Sequence, residues 1–81
     1  MATWRKLINE AAGGRQIIAC TLTEAELDVE FDDGYGAPEG KPFSAWCALY
    51  VYFPIVYDGA ENVGRAPRYP CNEATSHQGG Y

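Results

Sequence analysis

The fold is decided by residues 43–68, which read FSAWCALYVYFPIVYDGAENVGRAPR. Six of the eleven aromatic residues of the chain lie between Phe43 and Tyr57, beside β-branched residues that suit a pleated, half-buried surface. Asp58 and Gly59 follow at once. An Asp-Gly pair after such a run favours a tight hairpin, because both turn positions need positive φ. The stretch therefore predicts a three-stranded antiparallel β-meander, the one segment apolar enough to found a core.

Alternation along the central strand divides its side chains between two faces. The more apolar set is predicted to be the core face: Leu49, Val51, Phe53, Ile55 and Tyr57. The other set comprises Tyr50, Tyr52, Pro54 and Val56. A two-residue turn would place Tyr57 opposite Ala60 and Tyr52 opposite Arg65. Because proline has no N–H for the ladder, the strand is expected to have a bulge or an unpaired side at Pro54.

Residues 4–12 are predicted to form an N-terminal helix. Its apolar residues recur at helical spacing and make one stripe: Trp4, Leu7, Ile8, Ala11 and Ala12. Thr3 can cap the first turn, and Gly13-Gly14 ends the helix. The stripe is expected to pack on one face of the sheet.

Residues 21–33 carry two conflicting patterns. Acidic and apolar residues alternate from Glu24 to Asp32, which is the period of a strand. Thr23 and Glu26, however, have the spacing of a capping box, and acidic residues suit the first turn of a helix. We predict a short acidic second helix from Glu24 to Phe31. Residues 16–20 stay undecided between a strand and an extended connection.

The predicted fold class is therefore α+β: a three-stranded antiparallel β-meander packed with an N-terminal helix and a short acidic second helix. At 81 residues the chain is expected to form a single domain, residues 1–81, with a loose tail over residues 76–81. No apolar run approaches the 18 residues of a membrane span, and the N-terminus lacks the pattern of a secretory signal.

Negative charge is concentrated in one segment. The chain has 11 acidic and six basic residues, a formal net charge of −5. Seven carboxylates, with no Lys or Arg among them, lie between Thr21 and Gly40: Glu24, Glu26, Asp28, Glu30, Asp32, Asp33 and Glu39. This balance disfavours direct binding to nucleic acid, which needs a basic surface, and favours a basic partner.

Two interpretations of these carboxylates stay open. They can be a solvated face, as in any acidic protein. Alternatively, they stand exposed and unneutralised and bind a Lys/Arg groove built for a nucleic-acid backbone, as a DNA mimic does. Carboxylates four residues apart on a helix stand about 6 Å apart, comparable to successive phosphates. Tyr35, Tyr50 and Tyr52 are the expected aromatic anchors of such an interface, unless the N-terminal helix covers the last two.

The sequence argues against a metal site or an enzyme. Cys20, Cys47 and Cys71, with His77, lack the close ligand pairs of structural zinc sites, so we predict separate reduced thiols. Nothing would fix His77 as a base for Cys47. We therefore expect a non-enzymatic protein without metal or cofactor.

Two loop motifs match only in part. Four acidic residues occupy positions of a calcium loop: Asp28, Glu30, Asp32 and Glu39. Asp33, however, stands where that loop needs glycine. Residues 34–41 have the glycines of a phosphate loop, but Pro42 replaces its Ser or Thr and no helix is predicted to follow.

Three stretches, residues 20–28 (CTLTEAELD), 31–46 (FDDGYGAPEGKPFSAW) and 51–59 (VYFPIVYDG), resemble a group of small uncharacterised proteins encoded by bacteriophages and prophages. The resemblance implies a phage genome neighbourhood, and small acidic phage proteins of known role are often inhibitors of host machinery, with anti-CRISPR proteins as the prominent class. We therefore expect a phage-type inhibitor. It would bind a host protein complex in the bacterial cytoplasm and evade host defence, as a monomer or weak homodimer. The alternative is a structural or accessory phage protein that self-associates through its aromatic sheet.

Overall fold

A computed structural model describes residues 2–31, 40–57 and 60–78, with the backbone alone for Tyr57. The elements in chain order are α1 (Trp4–Ala12), β1 (Ala19–Cys20), α2 (Glu24–Leu27), β2 (Ala45–Trp46), β3 (Tyr50–Tyr57) and β4 (Ala60–Pro67). The strands form one antiparallel sheet in the order β1-β2-β3-β4. The α+β class is confirmed, but the sheet has four strands instead of three. The added strand, β1, comes from the segment that the sequence left undecided.

The long hairpin of β3 and β4 has the predicted register. Tyr57 lies opposite Ala60, and Tyr52 lies opposite Arg65. Pro54 pairs with Val63 in continuous register, so there is no bulge. On its other side, β3 pairs with β2 only through Val51 and Tyr52, so Pro54 lies beyond that pairing and its missing N–H is not needed there. The predicted turn residues, 58 and 59, lie outside the described residues.

The predicted core face of β3 is wrong. Tyr52 has no exposed surface and packs with Trp4 and Ala45 in the core, whereas the side chain of Leu49 is 61% exposed. Val51, Phe53 and Ile55 are only half-buried. Polarity misled the prediction, because the Tyr52 hydroxyl lies 3.6 Å from Cys47 Sγ and is therefore satisfied inside the protein.

Helix α1 is confirmed together with both of its caps. Thr3 Oγ1 accepts a hydrogen bond from the Lys6 amide at 3.3 Å, which satisfies a free donor of the first turn. Gly13 takes the left-handed conformation at φ 60° and donates its N–H to Asn9 O, which ends the helix. The apolar stripe faces the sheet, with these members buried: Trp4, Ile8 and Ala12.

Trp4 is the centre of the core. Its ring centroid lies 4.7 Å from that of Phe31 and 4.8 Å from that of Phe43, and both pairs are tilted. Its indole Nε1 donates to Lys41 O at 2.9 Å. The indole therefore keeps a hydrogen bond while it is buried, and it joins α1 to residue 31 and to residues 41–43.

The second helix is shorter than predicted. Only one turn forms, α2 at Glu24–Leu27, so the predicted helix as far as Phe31 is not confirmed. The capping box of Thr23 and Glu26 is present, with both reciprocal hydrogen bonds. The helix stops because Phe31 forms a bridge with Ala2, with N–O distances of 2.8 and 2.9 Å, and enters the core against Trp4. Neither helix in the described ranges is long and apolar enough to cross a bilayer.

Candidate functional site

Arg5 of α1 reaches across to the acidic segment, residues 21–40. Its Nε donates to Asp28 Oδ1 at 2.7 Å, and its Nη2 donates to the Glu24 carboxylate. The hydrogen bond from Arg5 lowers the pKa of Asp28, although partial desolvation opposes that shift. One guanidinium therefore fixes two carboxylates side by side on the surface.

Glu26 is held by two further contacts. Its Oε1 accepts from the Thr23 amide at 2.9 Å as part of the capping box, and its Oε2 pairs with the Lys41 ammonium. Glu30 is exposed and has no ion pair or hydrogen bond within the described part of the chain. The expectation that the carboxylates stand unneutralised is therefore wrong for three residues: Glu24, Glu26 and Asp28.

The acidic segment nevertheless keeps a large net charge after this pairing. Its seven carboxylates, taken with Arg5 and Lys41, carry −5, which is the net charge of the whole chain. The other four acids and four bases cancel. The paired side chains also stay in solvent, with Glu24 85% and Asp28 61% exposed. Pairing orders the acids without removing the excess of negative charge.

The other predicted contact residues are not all brought to this surface. Four of them lie outside the described residues: Asp32, Asp33, Tyr35 and Glu39. Tyr52 is enclosed in the core under α1, so its ring cannot touch a partner. Tyr50 is half-buried, and its ring packs against Arg15 and Arg65. The described site is therefore formed by acidic side chains without a tyrosine anchor.

An open groove lies beside the acidic pair, between α1, residues 15–20 and α2. Its volume is about 500 Å³. Ile8, Leu22 and Leu27 line its floor, while Arg5 and Glu24 belong to both the groove and the ion pair. The groove mixes these apolar side chains with polar ones, so it can accept the aliphatic stem and the charged end of a Lys or Arg side chain of a basic partner.

A group of arginines was missed by the sequence reasoning. Arg15 and Arg65 both lie over the Tyr50 ring, and Arg68 donates from Nη1 to Cys47 O at 2.9 Å. Because these residues are far apart in the sequence, no local pattern joins them. The predicted register was the one usable signal, since it sets Arg65 opposite Tyr52 and therefore diagonal to Tyr50.

Cys47 is the buried thiol, whereas Cys20 is half-buried and Cys71 is exposed. It is 1% exposed, and Sγ accepts from the Tyr50 amide at 3.3 Å. Burial is the largest influence and raises its pKa, but hydrogen bonds from Tyr52 and from the Leu49 and Tyr50 amides, with Arg15 nearby, outweigh burial and lower the pKa of Cys47. Because the sulfur is enclosed, these contacts stabilise the fold and do not present a nucleophile.

The described residues contain no group of three His, Cys, Asp or Glu side chains arranged to hold a metal ion. The cysteines are free, with Cys20 half-buried and Cys71 exposed. Two members of the partial calcium loop, Asp32 and Glu39, fall outside the described ranges.

Comparison of the chain with protein-family models, with curated proteins and with solved structures finds no significant match.

Proposed function

We propose that this protein is a non-enzymatic binding protein that docks its acidic segment onto a basic protein surface of the kind that binds nucleic acid. One observation carries the proposal: a net charge of −5 remains on the acidic segment with Arg5 and Lys41, while the rest of the chain is balanced. A partner with Lys/Arg side chains is attracted to that region, and the attraction falls with salt. Occupation of such a surface would inhibit nucleic-acid binding by competition.

Arg5 prepares the surface for docking. It holds Glu24 and Asp28 in one arrangement before any partner arrives, which reduces the ordering cost of binding. Exposed ion pairs contribute little to stability, so a partner guanidinium can share or take over these carboxylates at low cost. The groove lined by Ile8 and Leu27 adds an apolar contact at the same place.

The phage-type and anti-CRISPR identity is a narrower proposal. It rests on the sequence resemblance of three stretches and names a CRISPR effector as the host complex. The acidic surface described above is compatible with that target and equally with other basic nucleic-acid-binding proteins.

The test uses two variants with the same charge change, each at an exposed glutamate that has no ion pair with any residue the structure describes. Glu30→Lys lies in the acidic segment, and Glu10→Lys lies on the outer side of α1. Immobilised wild-type protein should retain a nucleic-acid-binding complex from bacterial lysate and release it with salt. Glu30→Lys should lose that complex, and Glu10→Lys should keep it. Equal retention by both variants would contradict the proposal.

Self-association is the second candidate, favoured by the sheet face opposite α1. Val51, Phe53 and Ile55 are half-buried there, and Leu49 is largely exposed. This face, and not the one carrying Tyr52, would meet a second copy. Sedimentation of wild type and Phe53→Ser tests it: a dimer that the variant loses supports self-association, and a wild-type monomer at high concentration rejects it.

A further inference from the structure

Two arginines from separate elements meet at one tyrosine. Arg15 follows α1, Arg65 belongs to β4, and their Cζ atoms lie 4.9 and 4.5 Å from the ring centroid of Tyr50. Both arginines are exposed. A guanidinium packed over an aromatic ring is held in place while its edge N–H groups stay available.

Few of those N–H groups have acceptors. A guanidinium carries five donors. Arg15 uses Nη1 for Ala12 O at 3.2 Å, and Arg65 has no hydrogen-bond acceptor among the described residues. Two cations with unused donors therefore share one ring in a chain of net charge −5.

One carboxylate already stands at this place. The Tyr50 hydroxyl donates to Glu73 Oε1 at 3.0 Å. Glu73 is exposed and belongs to the irregular segment after β4, and this is the one side-chain contact it makes within the described ranges. The Tyr50 hydroxyl therefore already donates to a carboxylate, while neither arginine forms an ion pair with Glu73.

We propose that Arg15, Tyr50 and Arg65 form a binding site for the carboxylates of an acidic protein segment, with Glu73 as the internal occupant. Arginine pairs with carboxylate through charge-assisted, often bidentate hydrogen bonds. The site uses other side chains than the ion pairs of the acidic segment: Arg5 lies in the first turn of α1, whereas Arg15 follows the end of that helix and lies over Tyr50. The protein therefore offers basic and acidic partners different side chains.

Glu73 is expected to lower the affinity of this site for external carboxylates. A tethered carboxylate acts at an effective concentration in the mM range, so it competes with any weak external ligand. Removal of its charge by Glu73→Gln should therefore open the site without touching either arginine.

A synthetic hexaglutamate peptide is the probe, titrated at low salt and followed by the NMR signals of Tyr50. Glu73→Gln should bind it at least about tenfold more tightly than wild type does. Glu73→Gln with Arg15→Gln and Arg65→Gln should lose binding, whereas Glu73→Gln with Lys6→Gln, an exposed cation on α1, should keep most of it. Equal binding by the arginine-free and Lys6 variants would overturn the proposal.

Two further measurements keep the result unambiguous. Thermal unfolding shows whether the arginine-free variant is folded, and Arg65→Lys in the Glu73→Gln background, which keeps the charge, should bind weakly but measurably. Tighter binding of a six-residue oligothymidylate than of hexaglutamate would overturn the proposal by assigning the site to phosphate. Glu30→Lys should leave peptide binding unreduced, which separates this site from the proposed function.

Discussion

The sulfur of Cys47 lies 3.6 Å from the hydroxyl oxygen of Tyr52, and both side chains are enclosed in the core. Burial is the main cause that raises the pKa of Tyr52 to about 12, and the Cys47 hydrogen bond adds to it, while Arg15 and Arg65 oppose the shift. The folded protein therefore holds the Tyr52 proton more tightly than the unfolded chain does, whose tyrosine titrates near 10.

This shift predicts a loss of stability at high pH. The contribution of Tyr52 is fully present below about pH 10 and falls as the pH rises towards 12, with a limiting slope of about 1.4 kcal/mol per pH unit. Urea unfolding at several pH values measures it. Below pH 10, the unfolding free energy of Tyr52→Phe should be about 1 kcal/mol lower than that of wild type. Between pH 10 and 12 the variant should not show the loss of stability that ionisation of Tyr52 causes in wild type. An identical alkaline decline in the variant would show that Tyr52 is not its cause.

Arg5 is predicted to control the titration of Asp28. The pKa of Asp28 is lowered in the folded state, so the Asp28 carboxylate paired with Arg5 stabilises the fold above the ordinary pKa of 3.8. This stabilisation is lost as the pH falls through the folded-state pKa. In Arg5→Gln the pKa of Asp28 should rise towards 3.8, as measured by NMR titration of the carboxyl carbon. A pKa of Asp28 unmoved by the substitution would reject the pairing.

The capping box is predicted to stabilise the acidic segment. Thr23→Ala removes the acceptor for the Glu26 amide and should cost about 1 kcal/mol of unfolding free energy. Thr21→Ala is not a neutral control, because Thr21 Oγ1 accepts from the Ser44 amide. Thr75→Ala, in the exposed irregular segment, is suitable and should change stability little. Chemical denaturation of both variants checks this.

Gly40 is predicted to tolerate no side chain. A Cβ there would lie 2.5 Å from Trp4 Cζ2 and 2.8 Å from Glu61 Oε1, and the Gly40 amide itself donates to that carboxylate at 2.9 Å. Gly40→Ala should therefore cost about 1–3 kcal/mol through overpacking and shift the fluorescence of Trp4. Unchanged stability and emission would contradict the close approach.

Sequence patterns correctly predicted those parts of the fold that depend on residues close together in the chain. The caps of α1, its apolar stripe, the box of Thr23 and Glu26 and the β3–β4 register all depend on residues close in the chain, and all are confirmed. The length of α2 depends on a distant contact, since the pairing of Phe31 with Ala2 ends it. β1 was left open because two residues paired with β2 leave no periodic pattern.

The site was less predictable for the same reason. The excess of negative charge is visible in the sequence, but its pairing with Arg5 and Lys41 spans 19, 23 and 15 residues. The more apolar face of β3 is not the core face, because the contact with Cys47 satisfies the Tyr52 hydroxyl inside the protein, and no alternation pattern reveals that contact. The arginines around Tyr50 come together only when α1, β3 and β4 have packed.

The salt dependence of binding to the complex retained by the wild-type protein tests the central claim most directly. Arg5→Gln releases Glu24 and Asp28 from their internal partner and makes the chain one charge more negative. With the fold verified by thermal unfolding, log K should fall more steeply with log salt than in wild type, because both carboxylates then pair with the partner's cations alone. The lost ordering of the two carboxylates offsets part of the gain in affinity at low salt. Weaker binding with an unchanged salt slope would mean that these carboxylates do not meet the partner's cations.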